Sequence, residues 1–177
     1  MVVGSDQLCF AFVSGSLVWT GLETLDTIRD HREMKAASWP PGTHYVDDAN
    51  LAAAFFTGVA RGGDTPLMFE KQAQTWKGRS WNEVANSVRR LASVLVNAGI
   101  CAGDRVMVSA ENRPEWAIAD LAIMAIGAIV VPTYVTNTED DHFFIMDHSG
   151  ASAVITSGSL LGARIALAAS RTAGMHT

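Results

Sequence analysis

Cysteine is scarce in this sequence of 177 residues: Cys9 and Cys101 stand far apart, with no metal-ligand spacing around either. That density excludes a disulfide scaffold. Both are read as reduced thiols, and the compartment as cytoplasmic. Cations are also few. Thirteen Lys+Arg face eighteen Asp+Glu, a net charge of −5. A general DNA or RNA binder needs a basic face to neutralise phosphates, and this balance argues against one. Long apolar runs are missing as well. Leu8 to Leu22 carries no charge, but it falls short of the about 20 residues that a bilayer span takes. It also lacks the basic flank and the small-x-small cleavage site of a secretory signal. Ala117 to Val135 carries a single charge, Asp120, and is punctuated by Gly127 and Pro132. A buried helix followed by a buried strand accounts for that punctuation.

What is present is apolar substance. Apolar residues make up 49% and charged residues 18%, which excludes a disordered chain. Fifteen Gly and five Pro show no triplet period, so the chain is not collagen-like. The length suits one domain, or one and a piece. The apolar share is high for a free-standing domain of this size.

Two regions differ in character. Residues 1–40 form an N-terminal extension of unlike composition: the apolar Leu8–Leu22, a charged stretch from Asp26 to Lys35, then Trp39-Pro40-Pro41-Gly42. The Pro-Pro-Gly breaks any helix and marks a linker or an entry into a domain. Met34-Lys35-Ala36-Ala37 would serve as an ordinary start, so residues 1–33 are read as upstream sequence outside the fold. Residues 41–177 are read as a partial N-terminal domain.

From Asp48 the pattern becomes regular. Asn50 caps a helix with Leu51, Ala54, Phe55 and Val59 on its apolar face, ending at Gly62-Gly63. Pro66 to Phe69 reads as a strand, Lys77-Gly78 as a turn and Arg79-Ser80-Trp81 as an extended return, together a hairpin. Ser80 and Glu83 form a capping box. The helix after it carries Trp81, Val84, Ala85, Val88, Leu91, Ala92 and Leu95 on one face, and Gly99 closes it. Gly103-Asp104 turns into a strand from Arg105 to Ala110. Asn112 with Glu115 resembles another capping box, with Pro114 in the first turn. A nearly all-apolar helix follows, Glu115–Ile126, then Gly127 and the continuous run Ala128 to Pro132, as in a strand covered on both faces. Thr138 caps a helix from Glu139 to His148. Gly150 ends it, Ala151 to Ile155 is a strand, and Ser159 opens a last helix. The order from Arg105 is β-α-β-α-β-α with short connections, an α/β fold with a parallel sheet.

Chemistry-bearing constellations are sparse. There is no G-x-x-x-x-G-K-[ST], no G-x-G-x-x-G and no G-x-S-x-G. The turn from Thr156 to Gly162 stands between a strand and a helix, the right context for a phosphate loop. Leu160 and Leu161 fill its middle, however, and Arg164 falls on the helix. It reads as a plain turn with Ser as N-cap. His142 and His148 are six residues apart, on opposite sides of a helix, which is wrong for chelation. His31, His44 and His176 lie in irregular or terminal segments. Asp104, Glu111 and Glu115 are read as cap and turn residues. Cys101, after a helix-ending Gly99, is read as structural.

Several segments resemble one family. Arg79-Ser80-Trp81-Asn82-Glu83-Val84 resembles the "T-Y-x-E-L" element of adenylate-forming enzymes. Leu95 to Ile100 with Gly103-Asp104-Arg105-Val106 resembles their "L-x-x-x-G-[IV]-x-x-G-D-R-V". Glu111-Asn112-Arg113-Pro114-Glu115-Trp116 resembles the "E-N-x-P-E-W" of acyl-CoA synthetases, and Ile126 to Pro132 the "x-G-A-x-x-V-P" after it. With "G-A-I-V-V-P-T-Y" at this spacing, the chain is similar to the N-terminal portion of long-chain fatty acid–CoA ligases, over residues 48–170.

The resemblance implies an enzyme that uses ATP, Mg2+ and coenzyme A. A fatty acid is activated to an acyl-adenylate, and the acyl group then passes to the coenzyme A thiol. The family's ATP loop, "[YF]-T-S-G-[ST]-T-G-x-P-K-G", is imitated only in its first half by Thr156-Ser157-Gly158-Ser159. The matching residues are caps, turn glycines and core apolars. No catalytic, cofactor-binding or metal-binding residue is therefore carried over, and the chain alone is expected to be inactive, with no cofactor bound tightly. The resemblance leaves room for peripheral membrane association of the full-length enzyme and for pairing with a separately encoded C-terminal remainder. Two other readings stay open. One is a small nucleotide-binding module using Ser157 to Gly162; the other is a non-catalytic interaction protein. An open sheet edge and uncovered apolar faces are expected to make the chain aggregation-prone alone.

Overall fold

The structure, a computed structural model, describes residues 3–5, 8–12 and 48–173. The charged stretch from Asp26, the Met34 start, the Pro-Pro-Gly break, His31, His44 and His176 lie outside the described residues. Strands β1 (Val3–Ser5) and β2 (Leu8–Phe12) come first. Then follow α1 (Leu51–Gly62), the hairpin β3 (Pro66–Gln72) and β4 (Thr75–Ser80), and α2 (Trp81–Asn97). The alternating part is β5 (Arg105–Ser109), α3 (Pro114–Ala125), β6 (Ile129–Thr133), α4 (Glu139–Ser149), β7 (Ala153–Thr156) and α5 (Ser159–Ala173).

The main sheet has the order β1-β2-β7-β5-β6. Strands β6, β5 and β7 are parallel neighbours, and β2 pairs antiparallel with β7 from Cys9↔Thr156 to Phe12↔Ala153. The first five residues of the apolar Leu8–Leu22 run are thus strand β2. Alternation along the strands divides the core in two. Val106, Val108, Ala153 and Ile155 face α1, α2 and α3, packing with Phe55, Val84, Val88, Leu95, Ile118 and Ile123. Met107 and Val154 face α4 and α5, with Met146, Ile165 and Ala168. β5 and β7 are covered on both faces, which is why they read as unbroken apolar runs.

The helix ends follow their capping chemistry. Asn50 Oδ1 accepts from Ala53 N at 2.9 Å. Ser80 and Glu83 exchange both bonds of a capping box, as do Thr138 and Asp141. After α2, the Ile100 N–H reaches back to Leu95 O at 3.0 Å with Gly99 at φ +90, a left-handed position that glycine adopts without strain.

Four expectations are corrected. The hairpin turns at Ala73-Gln74, with Ala73 at φ +53, while Lys77 and Gly78 lie inside β4, paired with Glu70 and Phe69. Asn112 does not cap α3. Arg113 holds the cap position without a side-chain bond, because Glu115, which a capping box would turn back, is held by two arginines. β6 is covered only in part: Val130 packs on the α1–α3 core and Val131 on the α4/α5 core, but the strand lies at the sheet edge and Ile129 is half exposed. Ser159 is the first helical residue of α5 and not its cap, with Gly158 at φ +72 before it.

The β6 edge is blunted by its own sequence. Ile129 N donates to Asp104 O, so in this parallel ladder Ile129 and Val131 point their polar groups at β5, and Val130 and Pro132 point theirs outward. The N–H that Pro132 lacks is therefore missing from the open side, where proline is tolerated.

Candidate functional site

In open α/β sheets, ligands sit outside the carboxyl ends of the strands, where the strand order reverses. Here β5 leads to β6 on one side, and β6 leads back to β7 on the other. The reversal point is the gap above β5 and β7, flanked by the Ala110–Arg113 and Ser157–Gly158 turns.

The two turns are tied together across this gap. Ser157 N donates to Ser109 O at 3.2 Å, and Ser157 Oγ donates to Glu111 Oε2. That hydroxyl holds the Glu111 carboxyl below the usual carboxylate range, helped by its own backbone N–H, against the opposing effect of burial and with a lesser contribution from the Arg113 charge. A carboxylate so held is a weak base, and Ser157 spends its proton on it. The pair locks the turns and does not make an activated nucleophile.

Beneath the turns lies a row of hydroxyls. Each of the three parallel strands ends on Ser or Thr: Ser109, Thr133 and Thr156. The three are register partners across the sheet, and Ser109 and Thr156 have the parity of Met107 and Val154, on the α4/α5 face. Thr133 Oγ1 accepts from Asn137 Nδ2 at 2.7 Å, and Asn137 O accepts from Arg164 Nη1 at 3.2 Å. His142, on the first turns of α4, is fully buried. Its ring is held below the usual histidine range, first by burial and then by the Arg164 charge, with Asp141 opposing. Ser109 Oγ, Thr156 Oγ1 and both His142 ring nitrogens find no hydrogen-bond partner among the described residues.

The other sequence candidates fall apart spatially or serve the scaffold. Glu115 is buried on α3, between Arg79 Nη2 at 2.6 Å and Arg113 Nε at 2.8 Å. Burial pushes its carboxyl up, but its backbone N–H and the two arginines together bring it below the usual range. Asp104 Oδ2 accepts from Cys101 N at 2.8 Å and closes the turn before β5. Cys101 is an exposed free thiol. His148 stacks on Phe144, with ring centroids 5.5 Å apart. Among the described residues no three His, Cys, Asp or Glu side chains come together as metal ligands. The groups around the α5 turn do not fit a triphosphate: Glu111 brings a carboxylate to its mouth, and Arg164 is turned to Asn137 O. Sequence reasoning passed over Ser109, Thr156 and Thr133. The signal was there, since each strand closes on a hydroxyl residue after an apolar run.

Comparison with known proteins places the chain. The AMP-binding enzyme family matches over residues 55–175. Long-chain-fatty-acid–CoA ligase FadD15 of Mycobacterium tuberculosis is 41% identical over 118 residues, covering 67% of this chain and 20% of its own length. Human long-chain-fatty-acid–CoA ligase 6 is 35% identical over 117 residues, covering 64% of this chain and 17% of its own. Among solved structures, the Klebsiella oxytoca NpsA N-terminal subdomain in complex with 3-hydroxybenzoyl-AMSN superposes with a TM-score of 0.53 at 29% identity, over 57% of this chain and 25% of that one. The chain spans about a fifth of the length of the curated relatives it matches. With its α/β topology, its glycine-closed α2 and its blunted β6 edge all inside the matched span, the chain belongs to the AMP-binding enzyme family, in the part it shares with long-chain fatty acid–CoA ligases.

Proposed function

We propose that this chain is the early scaffold of an acyl-CoA synthetase that activates a long-chain fatty acid with ATP and passes it to coenzyme A, and that it has no such activity by itself. The observation that carries the reading is the 41% identity to a fatty acid–CoA ligase over 118 residues. The strand-end geometry supports the second half. Glu111 and Ser157 lock each other, and transfer of a phosphoryl-linked group calls instead for positioned cations and backbone donors. Its surroundings in the full enzyme would supply those. The proposal also covers the Mg2+ of the reaction and a cytoplasmic setting. No helix among the described residues is long and apolar enough to cross a membrane.

An ATP–pyrophosphate exchange assay with palmitate tests this on the intact chain. Exchange at background level is expected; turnover would overturn the inactivity. Equilibrium dialysis with ATP separates the module reading. Micromolar binding abolished by Gly158→Val would show a nucleotide site at the α5 turn and displace the scaffold reading.

A further inference from the structure

The parallel sheet has a place for one more strand, and a segment from far away in the sequence holds it. Strand β6 leads through α4, over the face where Met107 and Val154 pack, past β5 to β7. The β5–α3–β6 connection crosses the opposite face and moves the other way. Right-handed crossovers tie each face of a parallel sheet to one direction of travel. Helix α5 leaves β7 on the same face as α4, where Ile165 and Ala168 pack with Met146. A strand that followed α5 would therefore lie parallel to β7, on the side away from β5. That position is taken by β2, which runs antiparallel to β7 from Cys9↔Thr156 to Phe12↔Ala153, with α5 against it. Strand β2 comes from outside the span that matches the AMP-binding enzyme family, residues 55–175. It meets β7 in four register pairs, with the three-residue β1 on its outer side.

We propose that the β7 edge accepts a parallel, apolar strand supplied by the remainder of a ligase as a separate polypeptide, and that β2 is an exchangeable occupant of that edge. The proposal rests on the scaffold reading above. Recognition is backbone pairing of an added strand, alongside Ala153 to Thr156. The added strand must be apolar, because Ala153, Val154 and Ile155 are buried between the two helical layers. As part of the same chain, β2 competes at an effective concentration on the order of 1 mM. A loose peptide would not displace it. A folded remainder has more to hold, since Leu160 and Leu167 are exposed on α5, the helix against this edge.

The test mixes the full chain with the part of Mycobacterium tuberculosis FadD15 that follows its matched segment, expressed as a separate chain. Phe12→Cys with Ala153→Cys joins two register partners and, once oxidised, locks β2 in place. Phe10→Pro with Ala11→Pro removes adjacent N–H groups, one of which faces β7, and so frees the edge. A site that is open part of the time binds with its affinity reduced by that fraction, so the double-proline chain should bind at least about tenfold more tightly than the locked one. Reducing the disulfide should restore binding. Equal binding by the two variants would place the contact elsewhere and overturn the proposal, as would no binding by the double-proline chain. Hydrogen exchange of the full chain alone needs no partner. Amides of Leu8–Phe12 should exchange through a local opening that leaves Arg105–Ser109 protected. A β2 that opens only together with β5 would be an integral strand, and the exchange would be refuted. Self-association of the double-proline chain that the FadD15 part does not suppress would make a second copy the occupant and refute the ligase remainder. An ATP–pyrophosphate exchange assay on the complex separates this proposal from the reading it rests on: binding without exchange would support the strand site and count against the synthetase reading.

Discussion

His142 concentrates the polar tension of the molecule in one side chain. It is buried between α4 and the strand ends, with Arg164 the nearest cation from α5, Asp141 on its own helix and only hydroxyls offered by the sheet. Burial keeps the folded ring neutral, with an affinity for protons below the ordinary value of 6.5. The unfolded chain therefore takes up a proton first as pH falls. The stability contributed by the neutral ring is fully present above 6.5 and declines below it, until the folded ring itself is protonated. Urea unfolding at a series of pH values should show this decline, and His142→Leu should flatten it between neutrality and the carboxylate range. A decline that survives in His142→Leu would place the proton uptake elsewhere. A second single-residue case is steric. The Trp81 ring stacks on Phe55 at 5.9 Å and lies over Gly58 and Gly62. A Cβ on Gly62 would come within 2.2 Å of the ring, and one on Gly58 within 2.6 Å. Alanine is ordinarily the better helix former by about 1 kcal/mol, but at Gly62 the ring must move. Gly62→Ala should therefore destabilise by about 1–3 kcal/mol in chemical denaturation, and the double variant with Trp81→Ala should recover part of that loss.

Single elements are joined by few polar ties, and the Arg79–Glu115 pair is the main one between the hairpin and α3. Glu115 is nearly buried and keeps Arg113 when Arg79 is removed. Arg79→Met should cost about 2 kcal/mol, and the cost should shrink when Glu115→Gln is already present, since no full charge is then stranded. Additivity in that cycle would show the pair to be incidental. This tie was not legible in the sequence. Asn112 and Glu115 have capping-box spacing, and nothing local shows that two arginines, one of them 36 residues upstream, claim the carboxylate. What was legible followed from local physics. Ser80–Glu83, Thr138 and Gly99 announce helix ends through bonds made within a few residues. The runs from Arg105 to Ala110 and from Ala151 to Ile155 announce strands. Ile129–Thr133 has the same apolar look yet lies at the edge, because strand order is a matter of what pairs with what. The strand-end hydroxyls share that difficulty: Ser109 and Thr156 become one site only through register, a non-local fact. Lys77-Gly78 misled for the opposite reason. Glycine there makes no turn but leaves room for the Phe69 ring, which lies 3.3 Å from where its Cβ would be.

On the scale of the whole molecule, the question is which parts close the sheet. One edge, β6, carries the proline that removes a donor from its open side, which lessens its tendency to pair with other chains. The other side of the parallel core, β7, is closed by β2. All four residues of β7 are buried, and its outward N–H and C=O groups are met by backbone from Leu8–Phe12. A chain begun at Met34 would leave those groups on an open, apolar edge. It should unfold at a lower temperature than the full chain and should self-associate, with the loss concentrated in slowed-exchange amides of Ala153 to Thr156. Hydrogen exchange of the two chains compares this directly. Equal protection of β7 in both would mean that the first 33 residues add nothing to the sheet, and N-terminal mass spectrometry finding Met34 as the natural start would then agree. Protection lost from β7 while α1, α2 and α3 keep theirs would make β2 the closing strand. The apolar start of Leu8–Leu22 would then owe its composition to the sheet it completes.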